Sequence, residues 1–130
     1  MKFATSILLV SLALGAVAQK SVRQEAQKGT QQVSDAKLKE LTTKYTAAKA
    51  NFAKKPKDAK VKKAYVDSTF ALGMGRMYSV SLPPRQKYST ALESFREVLK
   101  VEPKHKLAKE NYDLIANIYR QMKRPVPGEK

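Results

Sequence analysis

Proline sets the outline of this chain. The six prolines of its 130 residues are Pro56, Pro83, Pro84, Pro103, Pro125 and Pro127, and they fall between stretches whose apolar residues recur at three- and four-residue steps. Proline lacks the amide proton that a helix interior needs, and its ring collides with the preceding turn, so each one marks a helix end or start. From residue 35 onward the chain is thereby cut into four segments of helical length. None of them alternates apolar and polar residues with period two, so no sheet is expected. There is no cysteine. That removes disulfides, thiolate metal sites and a lipid-modified cysteine, and leaves packing alone to hold the fold.

The first segment runs from about Asp35 to Ala53, with Leu38, Leu41, Tyr45, Ala48 and Phe52 in register, Ser34 as N-cap and Lys54-Lys55-Pro56 as the stop. The second begins near Pro56 and reaches about Ser79, carrying Val61, Ala64, Tyr65, Phe70, Leu72, Met74 and Met77 over a wide face. Gly73 and Gly75 weaken that helix by up to about 1 kcal/mol each, so they mark close packing or a bend. The third runs from about Arg85 to Val101 with Tyr88, Ala91, Leu92, Phe95, Val98 and Leu99 in helical register. The fourth runs from about Lys104 to Met122 with Leu107, Leu114, Ile115, Ile118 and Met122 on one face, and residues 123–130 form a tail expected to fray. Short connections make consecutive helices antiparallel neighbours, so the expected fold is all-α.

The N-terminus carries a different signal. Met1 and Lys2 precede an uncharged apolar run from Phe3 to Val17, and Ala16-Val17-Ala18 supplies small residues for a signal peptidase. Residues 1–18 therefore read as a secretory signal peptide cleaved between Ala18 and Gln19, and the expected location is periplasmic or extracellular. An uncleaved anchor is the alternative, but the run falls short of the roughly 20 apolar residues of a bilayer span. No other stretch of the sequence is a candidate span. Residues 19–34 are rich in Gln, Lys and Ser and read as a mobile leader. Cleavage removes one lysine and no acid, so the formal charge falls from +15 to +14. Such a charge attracts polyanions. Outside the cytoplasm these are lipid head groups, lipopolysaccharide or wall polymers, and nucleic acid is not the expected partner in vivo.

One motif is specific. Tyr88-x-x-Ala91-Leu92-x-x-Phe95-x-x-Val98-Leu99-x-x-x-Pro103 resembles the second helix of a tetratricopeptide repeat, and Thr69-x-x-Leu72-Gly73 resembles its first. Asn111-Tyr112-x-Leu114 and Ile118-Tyr119 look like the first helix of a following repeat, and Tyr45 to Pro56 like a degenerate second helix of a preceding one. The loop at Ser81–Arg85 is longer than the family pattern, Lys44 replaces a small residue and Ile115 a glycine. The resemblance covers roughly residues 41–122 and implies stacked helix hairpins, with a generic four-helix bundle as the alternative. It also implies a scaffold for binding. The first helices would line a peptide groove through Phe70, Met74, Met77, Tyr78, Tyr112 and Tyr119, unless these side chains are core packed on residues 35–53. Phe70 and Met74 stand where some members of the family use lysine and asparagine to grip a C-terminal carboxylate.

No catalytic constellation is legible, and no cofactor or metal site is expected. His105 is the only histidine and reads as an exposed turn residue. Glu93 and Glu97 are one helical turn apart, but Arg96 and Lys100 beside them make a surface charge pattern. Ser34-x-x-Lys37 is explained by the N-cap. The lysines are more informative: Lys54, Lys55 and Lys57 flank Pro56, as Lys100, Lys104 and Lys106 flank Pro103. In stacked hairpins the two turns share an edge, and the clusters merge into a basic rim or serve only solubility. The expected function is a non-catalytic, exported binding module for a protein or peptide partner. The alternative is electrostatic binding of an anionic envelope or extracellular polymer through that rim.

Overall fold

The computed structural model describes residues 32–130, so the expected signal peptide, its cleavage point and the leader as far as Gln31 lie outside the described residues. The described chain is all-α, with α1 at Asp35–Lys54, α2 at Ala59–Met77, α3 at Pro84–Val101 and α4 at Lys106–Gln121. None of these helices is long and apolar enough to cross a membrane.

Each helix start has a local cause. The Ser34 hydroxyl accepts the Lys37 amide at 3.3 Å, which accounts for the Ser-x-x-Lys spacing. α2 starts later than Pro56 because Asp58 caps it, one carboxylate oxygen accepting the amides of Lys60 and Val61 at 2.9 and 3.1 Å. α3 opens on Pro84 at its first position, where no amide proton is required. α4 is capped by His105, whose Nδ1 accepts the Ala108 amide at 3.1 Å. The His105 ring also lies 5.0 Å from that of Phe70. It is a half-buried cap, not the exposed turn residue expected from its lysine-rich surroundings.

The helices pack antiparallel in chain order, and α1 and α4 are not a packed pair, so the row stays open. The tightest approach is α2 on α3. A Cβ built on Gly73 would stand 2.7 Å from Phe95 Cε1 and 3.0 Å from Ser94 Cβ, so a glycine is what lets these two helices meet. Gly75 faces α1, where a Cβ would meet only the end of the Leu41 side chain closely, at 2.5 Å from Cδ1. The core consists of Val66, Met77, Ala91, Leu92, Phe95, Val98, Ala108, Ile115, Ala116 and Val126. α1 adds no fully buried residue. It docks through half-buried side chains, with the Phe52 and Tyr65 rings stacked at 4.7 Å.

Two chain segments are better anchored than expected. At the end of the leader, the Val33 amide donates to the Tyr78 carbonyl at 2.9 Å, and the Val33 carbonyl accepts from the Val80 amide at 3.0 Å. In the C-terminal tail, Val126 is 5% exposed and belongs to the core.

Candidate functional site

The expected groove residues are divided by the fold. Met77 is buried in the core. Phe70, Met74, Tyr112 and Tyr119 are partly buried against that core, and Phe70 meets Phe95 at 5.8 Å between ring centroids. Tyr78 alone of the six is exposed. The cause lies partly in α4, which is turned by one residue from the expected register. It buries Ile115 and Ala116 and leaves Leu114 about half exposed, at 51%. Ala116, not Ile115, therefore takes the position that corresponds to Gly73 on α2. The signal was present in the sequence: Tyr112, Ile115, Ala116 and Tyr119 repeat the spacing of Thr69, Leu72, Gly73 and Arg76. Thr69, Leu72 and Gly73 are likewise buried.

Two open cavities share Tyr88 as a lining residue. One, of about 410 Å³, is lined by Gln32, Met77, Tyr78, Ser79, Val80, Lys87 and Tyr88. The other, of about 340 Å³, is lined by Pro84, Arg85, Tyr88, Ile118, Tyr119, Met122 and Arg124. They join the end of α2, the start of α3 and the end of α4. Met77, Tyr78 and Tyr119 of the expected set thus come together here, while Phe70, Met74 and Tyr112 line neither cavity. Val80 and Met122 are 55% and 51% exposed, an apolar surface that water would give up readily. Lys87, Arg85 and Arg124 are the charged lining residues, and among the described residues no carboxylate faces them from either wall. Sequence patterning places Tyr88 inside the repeat hairpin and misses its role as the shared wall.

The lysine turns lie at the opposite end. The up-and-down order puts residues 54–58 and 102–105 at the same end of the row. Glu102 of the second turn is close enough to Lys63 to help raise the lysine pKa, behind the larger effect of Asp67. Lys54, Lys55, Lys57, Lys100 and Lys104 are exposed and make no salt bridge among the described residues. Lys106 is only loosely paired, 3.8 Å from Glu110.

A third cluster joins α1 to α3. Tyr45 donates its hydroxyl to Glu97 at 2.7 Å, and the Lys49 ammonium reaches Glu97 Oε1 at 2.7 Å and the Tyr45 oxygen at 2.8 Å. Burial pushes the Glu97 pKa upward, but the hydrogen bonds from Lys49 and Tyr45 prevail and hold it below the ordinary glutamate value. The carboxylate is therefore committed to a structural ion pair. Arg76 beside it donates to Ser94 Oγ at 2.9 Å and to the Thr90 carbonyl at 3.2 Å. These groups line a polar cavity of about 350 Å³ with Glu93, Arg96 and Lys100. Among the described residues of this lining, Lys49 and Glu97 form the one ion pair, while Arg76 is bonded to Ser94 and Thr90 and Arg96 to the Pro127 carbonyl.

No protein-family model, curated protein or solved structure matches the chain.

Proposed function

We propose that this chain is an exported, non-catalytic, tetratricopeptide-like binding module for a protein or peptide partner. The observation that supports this is the pair of cavities sharing Tyr88, a surface of apolar, methionine and tyrosine side chains with three cations and no acid in its lining. Such a surface suits a segment with apolar anchors and an acidic flank, because tyrosine offers a polar tip and methionine repacks around what it meets. Val80→Glu and Met122→Glu test it, since both side chains are more than half exposed and the fold does not rest on them. Each substitution should leave the helical circular dichroism unchanged and lower retention of a partner from envelope extract or culture medium at least tenfold. Unchanged retention by both variants overturns the reading. Export is tested separately by the mass of the protein recovered outside the cytoplasm, expected to begin at Gln19.

A second reading draws on the unpaired lysines at the other end of the row: binding of an anionic polymer. The two readings respond differently to salt. Counterion release makes polymer binding fall steeply with ionic strength, whereas apolar burial at the two cavities changes little.

A further inference from the structure

α2 and α4 present the same kind of face to different neighbours. On α2, Thr69, Leu72 and Gly73 are covered by the antiparallel helix α3, with Phe95 and Ser94 against Gly73 and Arg76 bonded to Ser94. On α4, the equally spaced Tyr112, Ile115, Ala116 and Tyr119 have the extended segment 124–129 beside them. The Arg124 amide donates to the Tyr119 carbonyl at 2.9 Å. Val126 joins Ile115 and Ala116 in the core. The Glu129 carboxylate accepts from the Tyr112 hydroxyl at 2.8 Å and from Arg120 at 3.0 and 3.1 Å.

The cover is thinner than the one α3 gives α2. The tail supplies one buried apolar side chain, Val126, whereas α3 supplies Ala91, Leu92, Phe95 and Val98 to the core. The chain reaches the site through Lys123 at φ 54, a conformation that a residue with a side chain rarely adopts, and leaves through Gly128 at φ 81. Arg96 donates to the Pro127 carbonyl, yet its Nε is buried with no hydrogen-bond partner among the described residues. Leu114 and Met122 of the same helix stay about half exposed. A segment anchored by a single buried apolar side chain opens more easily than the helices beneath it.

We propose that residues 124–130 are a displaceable stand-in. The Tyr112–Ile115–Ala116–Tyr119 face of α4 is the docking site for an acidic amphipathic helix of a partner protein, which pairs with α4 as α3 pairs with α2. This rests on the reading of the chain as a binding module. Ala116 permits a helix to cross closely, as Gly73 does on α2. Charge selects the occupant. With the tail lifted, Arg96 and Arg120 border an apolar face, and the Glu129 carboxylate that Arg120 loses has to be replaced by an acid of the incoming helix. A second copy of a chain with formal charge +15 is repelled from that face.

The test compares the full-length protein with its full-length variant Val126→Asp/Glu129→Lys, in which the tail loses its buried side chain and its carboxylate contacts while the Arg96 bond to the Pro127 carbonyl is left in place. The probe is a fluorescent peptide of residues 84–101 carrying Arg85→Glu, Arg96→Glu and Lys100→Glu, which keeps the apolar face of α3 and makes the helix acidic. The probe should bind the variant at least tenfold tighter than the native protein, gain helicity on binding, and be displaced by a peptide of residues 124–130. Equal affinity for the two proteins overturns the proposal, as does equal binding of a probe that also carries Phe95→Glu. Loss of cooperative melting in the variant overturns it too, because the tail is then a fixed part of the fold. So does concentration-dependent dimerisation of the variant in place of probe binding. Partner retention through the Val80 and Met122 surface is measured on the same two proteins. Retention with no probe binding sinks only the tail proposal, and loss of retention in the native protein sinks the binding-module reading itself.

Discussion

Phe95 packs against Gly73 and Phe70 of α2 and belongs to the same core cluster as Ile115 of α4. It is 0% exposed. Phe95→Ala should therefore cost about 3–5 kcal/mol, measurable as a lowered urea midpoint with an unchanged slope. The two helical glycines separate propensity from packing. Alanine is favoured over glycine in a helix by up to about 1 kcal/mol. At Gly73 the new methyl meets the ring of Phe95 at 2.7 Å and Ser94 Cβ at 3.0 Å, atoms that the core does not let move. Overpacking of about 1–3 kcal/mol outweighs the propensity gain, and Gly73→Ala should destabilise. At Gly75 the closest atom is Leu41 Cδ1, the far end of a half-buried side chain that can rotate away. Gly75→Ala should be neutral or mildly stabilising by the same denaturation measurement. Equal destabilisation at both positions would refute this account of the α2–α3 crossing.

At the scale of the helices, α1 is the weakest. It buries no residue fully and is tied to α3 by the Tyr45–Lys49–Glu97 cluster. Its amides should exchange fastest of the four helices, with protection factors well below those of α3. The pH dependence follows from the direction of each shift. The Glu97 pKa is lowered in the fold, so its contribution is present above the unfolded value of about 4.3 and disappears as pH falls through the lowered one. Tyr65 runs the other way: burial, with the charge of Glu97 behind it, pushes its pKa up to about 12. That contribution is complete below about pH 10 and is lost as pH rises towards 12. α1 protection should therefore drop relative to α3 on acidification below about pH 4, since the carboxylate then gains a proton. Glu97→Gln should lower α1 protection at neutral pH and flatten the acid limb. The loss should stay near about 1 kcal/mol because the Lys49 side chain is 53% exposed and well screened. An unchanged acid limb in Glu97→Gln would show that another group holds α1.

Over the whole molecule the dominant quantity is charge: 26 basic residues face 11 acidic ones. The lysines are not equivalent. Lys37 and Lys44 both bond Glu40, at 2.9 and 2.7 Å, and their hydrogen bonds, Lys44 first, pull the Glu40 pKa down to about 2. The lysines of the two proline turns have no such commitment and share one end of the row. Binding of heparin should weaken with salt. Glutamine at Lys54, Lys55 and Lys57, or at Lys100, Lys104 and Lys106, should reduce the slope by about 0.9 or less for each lysine–sulfate pairing removed. Glutamine at Lys37, Lys39 and Lys44 should change it much less. Equal changes in all three variants would mean that heparin follows net charge and that no basic site exists.

The four helices, their breaks and the Ser34 cap were legible in the residues alone, because proline, a capping hydroxyl and a three-to-four-residue apolar period act over one or two turns of backbone. The α2–α3 pairing was legible too, since Gly73, Ala91 and Phe95 mark a close crossing by size. α4 was not, for it carries apolar residues over most of its circumference: Leu107, Tyr112, Leu114, Ile115, Ala116 and Ile118. Periodicity on such a helix leaves its rotation free by one residue. The rotation found in the structure buries Ile115 and Ala116 and leaves Leu114 about half exposed. The same holds for the capping role of His105, the shared wall at Tyr88 and the docking of Val126. Each depends on residues distant in sequence meeting in space, and only the tertiary structure brings them together.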